Sequence, residues 1–356
     1  MKTRRSSYLW FLLVILIGTA CSTADPDIRI VTVPNGGITP DAELDALGIL
    51  HVAYFSEDNI YYAESADHGT TFTKPIQVNS ESGTGQAGLF RGPDLALGAD
   101  GRVHVAWYTN QYQRKRPQEE WGVRYAQLAP GATSFTPELN LNRTPSDNYS
   151  LAADGMGQVV VTWTSDALYT QSSDDGGQRF SDPMPITIAD PCECCATQTY
   201  FSSTGDLYIG YREKANNQRD MHLLVQKKNE ATFTKHLLSQ TPWPIDACPM
   251  SGSSLTGGQN QLVAAWETKG AVYYGLANLE GELLTDEIQV SEHGKYPLVL
   301  PTASGYLVAW KEGATLVWQR FGPDGTQNGP TTRQENVGPH RPSGMTMQDG
   351  VVLLLP

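Results

Sequence analysis

Four cysteines stand in two groups whose chemistry belongs together: Cys192-Glu193-Cys194-Cys195, and Cys248 about fifty residues later in Cys248-Pro249-Met250. In an oxidising compartment four thiols tend to pair as disulfides. Three cysteines within four residues are awkward to bridge locally, however, and at most one of them can reach Cys248 without strain. The same density of sulfur suits a soft metal ion, copper or zinc, held by Cys192, Cys194, Cys195 and Cys248, with Met250, Asp190 or Asp246 as further donors. Redox use of the thiols is a third possibility.

Arginines and carboxylates surround these groups. Arg212-Glu213 and Arg219-Asp220-Met221 share one polar segment, Asp246 precedes Cys248 by two residues, and Arg91-Gly92-Pro93-Asp94 forms a separate cluster. A guanidinium grips a carboxylate through two parallel hydrogen bonds, so Arg91, Arg212 and Arg219, with Asp94, Asp220 and Asp246, are candidates for holding an anionic ligand. The alternative is a set of ion pairs lining a polar funnel. The histidines show no metal-ligand spacing, and His51 and His104 recur at one strand position, which points to a structural role.

The elements that must position these residues repeat along the chain. Short apolar strands end in an aromatic at Tyr54, Trp107, Trp163, Tyr211, Trp266 and Trp310, which lie 53, 56, 48, 55 and 44 residues apart. Each is followed by a polar turn, a third strand such as Ile60-Tyr61-Tyr62-Ala63, and a fourth such as Ile76-Gln77-Val78-Asn79. The alternation has period two and nothing sustains a helical period, so the chain reads as all-β. Units near fifty residues with four strands each are propeller blades, too small to bury their own faces and dependent on their neighbours. Six or seven blades are expected in a single domain over 28–356, with seven favoured. Met345 to Leu355 supplies two strands of a last unit, and the leading strand Ile28 to Val33 is expected to complete it and close the ring, which removes exposed sheet edges.

Two units carry Ser65-x-Asp67-x-Gly69-x-Thr71-Phe72 and Ser173-x-Asp175-x-Gly177-x-Arg179-Phe180 between third and fourth strands. Both resemble the Asp box, or BNR repeat, of sialidase-like propellers, with Phe in place of Trp, and degenerate copies precede Phe135 and Phe233. The resemblance implies a sialidase-like propeller with its ligand face on the side opposite the Asp boxes. That face is formed by the segments between blades, Ser80 to Asp94, Asn142 to Ser150, Ala189 to Gln198, Gln240 to Ser251, Ser291 to Pro297 and Asn336 to Ser343, plus Tyr108 to Trp121 and Arg212 to Met221 between second and third strands, with the longest belonging to units two, four and five. Sialidases share a Phe/Tyr-Arg-Ile-Pro motif, further arginines, an Asp acid/base and a Tyr nucleophile with a Glu partner. Phe90-Arg91-Gly92-Pro93 is similar in form but follows the first Asp box where the family motif precedes it. Asp94, Tyr296 and Glu292 are the weak catalytic candidates. Cys192 to Tyr200, Arg212 to Met221 and Trp243 to Ser254 look like segments of a bacterial group of exported Asp-box propellers.

The N-terminus has its own pattern: Lys2, Arg4 and Arg5, an apolar run from Tyr8 to Ile17, then Gly18-Thr19-Ala20-Cys21. This resembles a bacterial lipoprotein signal over 1–20, with Cys21 lipidated and 21–27 a short linker, and it implies anchoring in the cell envelope at the outer membrane. Without residues 1–20 the chain has 22 Lys+Arg against 38 Asp+Glu, a net charge of −16. Such a surface repels phosphate backbones, which argues against nucleic acid as a partner. The first expectation is therefore a lipid-anchored binding module for a glycan or small anionic ligand. A sialidase-type glycoside hydrolase and a metal-binding protein are its rivals.

Overall fold

The computed structural model describes residues 27–109, 117–143, 145–146, 148–258 and 260–356. The lipoprotein-signal expectation, with lipidation of Cys21, lies outside the described residues. Within them the chain forms seven sheets, six of four strands and one of three, with three short 3-10 turns as the described helical elements. No described helix is long and apolar enough to cross a membrane.

Each four-stranded blade is an antiparallel meander in chain order. Blade 1 holds Ile38–Leu44, Leu50–Ser56, Asn59–Ser65 and Ile76–Gln77, and blade 2 holds Asp94–Leu97, Val103–Thr109, Gly122–Leu128 and Leu139–Asn140. Blades 3 to 6 begin at Asn148–Ala153, Gln198–Phe201, Ser253–Gly257 and Lys295–Thr302. Blade 7 is built from both ends of the chain: Ser343–Met347 pairs antiparallel with Gly350–Leu355, and Ile28–Thr32 lies parallel along the latter, from Ile28 opposite Val351 to Thr32 opposite Leu355. The leading strand closes the ring as expected, and the blade number is seven.

The second strand of each blade is apolar on both faces because it is covered on both. In Val103–Thr109 every residue is buried, and Tyr54, Trp107, Trp163, Tyr211, Trp266 and Trp310 are at most 2% exposed. The buried apolar residues fall into seven clusters, and each cluster spans one boundary between neighbouring blades. Burial of this kind contributes roughly 25 cal/mol per Å² of apolar surface, and here it is gained only when blades meet.

The two Asp boxes are held as their residue types require. Ser65 Oγ donates to Asp67 Oδ1 at 2.8 Å and accepts the Gly69 N–H at 2.7 Å, while Asp67 Oδ1 accepts the Thr71 N–H at 2.8 Å. Ser173, Asp175, Gly177 and Arg179 repeat the pattern. The aromatic reaches across the blade boundary: Phe180 meets Tyr125 of blade 2 edge-on at 4.8 Å, and Phe135, of a degenerate copy, meets Tyr62 of blade 1 at 5.7 Å. His51 and His104 lie 2.5 and 2.6 Å from the hydroxyls of Tyr62 and Tyr125, and burial pushes His104 down to about 4, so it stays neutral at ordinary pH.

Candidate functional site

The innermost strands of the blades run from the funnel face towards the Asp-box face, so their first residues ring the axis. One register position recurs: Asp41 opposite Ala53, Asp94 opposite Ala106, Ser150 opposite Thr162 and Ser254 opposite Ala265. At each of these positions the side chain accepts an N–H from the next blade's inner strand. Asp41 takes Leu95 and Asp94 takes Leu151, both at 2.8 Å; Ser150 takes Thr199 at 2.8 Å and Ser254 takes Val299 at 3.0 Å. The ring is therefore a set of latches between blades. It is also the floor of the funnel, where Asp41 and Asp94 share the lining of one pocket with Ser254.

That pocket encloses about 120 Å³, room for several waters or one small ligand group. Its walls come from residues just before or at the start of six inner strands: Phe90-Arg91-Gly92, Asn148-Tyr149, Ala196-Thr197, Gly252-Ser253, Tyr296-Pro297 and Arg341-Pro342. Of the six between-blade segments assigned to the ligand face, five contribute lining residues, Gln240 to Ser251 being the exception, and none comes from Arg212 to Met221.

Charge is concentrated here. Burial pushes the Asp94 carboxyl well above the usual carboxylate range, and the negative charge of hydrogen-bonded Asp41 pushes it further, while Arg341 pulls the other way. Arg341 Nη1 lies 4.0 Å from Asp41 and its Nη2 donates to the Pro93 carbonyl at 3.4 Å. Arg91 donates from Nε to Asn148 Oδ1 at 3.3 Å, and its guanidinium sits 4.9 Å from the centre of the Phe90 ring. Phe90 in turn stacks on Tyr296 at 5.8 Å. Two guanidinium groups thus share this pocket with the Asp41/Asp94 pair in a strongly acidic chain.

Of the residues singled out from sequence, Arg91, Asp94 and Tyr296 meet in this pocket. Glu292 is exposed, and the carboxylate whose charge reaches Tyr296 is Glu267, a residue 2% exposed with Oε2 unpaired. Asp41, Arg341 and Asn148 were not singled out as ligand-binding residues, and Phe90 was marked only as part of the Phe90-Arg91-Gly92-Pro93 segment. Asp41 had a signal, since it precedes Asp94 by 53 residues, the same interval as Tyr54 to Trp107. Arg341 lay within a funnel segment without a motif to mark it.

Arg212, Arg219 and Asp220 belong to a neighbouring wall. Arg212 is 1% exposed, donates from Nε and Nη2 to the carbonyls of Ser251 and Glu267 at 3.3 and 2.5 Å and from Nη1 to that of Arg219, and stacks on Trp243 at 4.8 Å. Asp220 accepts the Trp243 N–H at 2.8 Å, and Asp246 is exposed. This wall frames the cysteines. Cys194 is bonded to Cys248 across the boundary between blades 4 and 5, with Cα atoms 6.2 Å apart. Cys192 and Cys195 are free and buried, joined by a turn in which the Cys195 N–H donates to the Cys192 carbonyl at 2.9 Å. Their sulfurs are 3.0 Å apart, and Cys192 Sγ lies 3.6 Å from Cys194 Sγ. The Cys195 thiol, with Arg219 and Arg212 nearby, holds the Cys192 thiol down to about 7 against the opposing effect of burial. The two regions touch, because the Glu193 carbonyl accepts from Asn148 Nδ2 at 2.7 Å, and Asn148 also holds Arg91.

Comparison with known proteins agrees with this architecture. A protein of unknown function from Dyadobacter fermentans superposes with a TM-score of 0.53 at 14% identity, covering 84% of this chain and 94% of that one. A Hadza microbial sialidase gives 0.50 at 12% identity over 84% of this chain, which spans 66% of the sialidase's length. At such identities the likeness is one of fold. A comparison with curated proteins found no match. The sequence matches the BNR repeat-like domain over residues 49–308, most of its length, and the chain belongs to that sialidase-like propeller family.

Proposed function

We propose that the axial funnel binds a small carboxylate-bearing ligand of the acidic-sugar class, and that the propeller presents this funnel from a lipid anchor at Cys21. The observation that carries the reading is the gathering of Arg91 and Arg341 in one pocket with the Asp41/Asp94 pair, beside an aromatic wall of Phe90 and Tyr296. Guanidinium groups take a carboxylate through charge-assisted hydrogen bonds, and ring faces pack on the apolar side of a sugar. The likeness to a sialidase agrees with this ligand class.

The test is calorimetric titration with N-acetylneuraminic acid and with its methyl ester. The acid is expected to bind, the ester not, and Arg91→Ala and Arg341→Ala are each expected to weaken binding about 10- to 100-fold, the worth of one charge-assisted contact. Equal binding of acid and ester, or unchanged affinity in the double variant, overturns the reading.

A hydrolytic function is the second reading, favoured by the placement of Glu267 near Tyr296. Burial and the Glu267 charge hold the Tyr296 hydroxyl protonated, so it would need Glu267 as base to attack a sugar. Turnover of a fluorogenic sialoside that is lost in Tyr296→Phe decides for this reading.

A further inference from the structure

We infer that Cys192 and Cys195 form a binding site for one soft monovalent cation of the copper(I) class. The inference does not rest on the funnel's ligand. Three observations converge on it.

First, sulfur is gathered and buried. Cys192 and Cys195 are 5% and 1% exposed, and the sulfurs of Cys192, Cys194 and Cys195 all lie within 4.8 Å of one another. Thiolates are the donors that select soft ions. Second, the donor number is low. The Cys194–Cys248 bond withdraws two of the four sulfurs, leaving two thiols. A tetrahedral zinc site needs four donors, whereas copper(I) is satisfied by fewer.

Third, the buried charge matches. The Arg212 side chain makes its hydrogen bonds to the backbone carbonyls of Ser251, Arg219 and Glu267, and the Arg212 carbonyl accepts the Cys192 N–H at 2.8 Å, so a buried cation sits beside the thiols. Two thiolates around a monovalent ion carry one negative charge, which a single guanidinium neutralises. Two thiolates around a divalent ion are neutral and leave the guanidinium without that partner. A buried cation is less costly beside an opposite charge, so Arg212 favours the anionic site that a monovalent ion leaves. Binding forms two S–Cu bonds and releases to solvent the protons that the two sulfurs held; no electron moves. The adjoining disulfide is half-buried at Cys194 and exposed at Cys248, which gives an ion a short path inward.

The test uses the full chain with Cys21→Ser, which leaves these four cysteines, purified anaerobically without reductant so that Cys194–Cys248 stays closed. Copper(I) is titrated against a colourimetric copper(I) chelator, and thiols are counted in denaturant before loading. One ion per chain is expected, with two titratable thiols in the unloaded protein. Prior alkylation, Cys192→Ser and Cys195→Ser should each weaken binding at least 100-fold, while zinc should bind at least 100-fold more weakly than copper(I). Alkylation of the wild-type residues keeps the test decisive if a serine variant does not fold. The proposal is overturned if the anaerobic protein has no free thiols, if copper(I) binding survives alkylation, or if zinc binds as tightly.

Discussion

The bond between Cys194 and Cys248 closes a loop of 54 residues that contains all of blade 4. In the chain-entropy account, removing that cross-link frees the unfolded chain by about 4 kcal/mol at 25 °C. For a domain of roughly 330 residues this corresponds to a fall in Tm of about 6 °C. The variant of choice is Cys194→Ser with Cys248→Ser, because a single Cys248→Ser leaves the Cys194 thiol 3.6 Å from Cys192, where a substitute bond could form. Wild type and double variant are unfolded in urea, without metal or reductant, and the midpoint is read by tryptophan fluorescence. A lower midpoint at similar slope, worth about 2 to 4 kcal/mol, is expected; a loss below about 1 kcal/mol refutes the cross-link between blades 4 and 5.

Other residues give independent tests. Glu43 lines the axial channel below the Asp41/Asp94 pair, and burial, with the Asp41 charge, pushes its carboxyl up to about 8. A raised carboxyl favours the fold below its unfolded value and loses that advantage as pH rises to about 8, so wild type should lose at most about 4 kcal/mol relative to Glu43→Gln between pH 5 and 8 in paired urea titrations. Asp67 is held down to about 2 by the Thr71 hydroxyl and N–H and the Ser65 hydroxyl, so its contribution is present above about pH 4 and is lost towards pH 2. Thermal melts of wild type and Asp67→Asn should therefore converge as pH falls through that window. Gly177 has φ +78°, and a Cβ there would lie 1.8 Å from Tyr125 Oη, so Gly177→Ala should cost at least about 2 kcal/mol by denaturant melt.

The architecture was legible because a blade writes the same pattern each time: an apolar strand covered on both faces, an aromatic at its end, and an Asp-box turn beyond. Ring closure could be read from the unpartnered Ile28 to Val33 and the truncated last unit, and the leading strand does pair with Gly350–Leu355. The site was legible in part. Arg91 and Asp94 stood out in a compact polar motif, but Asp41 hid in Thr39-Pro40-Asp41-Ala42, and its role follows from sharing a register position with Asp94 on the adjacent blade. Arg341 meets Asp41 only because the ring closes blade 7 against blade 1, a contact between residues 300 positions apart that no local pattern encodes. Sequence placed the two cysteine clusters on adjacent blades, yet the choice of Cys194 for Cys248 rests on the turn that folds Cys192 and Cys195 towards each other.

The parallel run of Ile28–Thr32 along the last strand has a consequence for orientation. In every complete blade the second strand climbs from the Asp-box face to the funnel face, and Gly350–Leu355 is such a strand. Ile28 therefore starts beside Val351 at the Asp-box side, where the Arg29 guanidinium reaches the His68 carbonyl of the first Asp-box turn. Asp27, the first described residue, lies at that underside, its carbonyl accepting the Val351 N–H at 2.7 Å. The described chain thus enters the ring on the face opposite the arginine-lined mouth, and none of its first strand lines the opening.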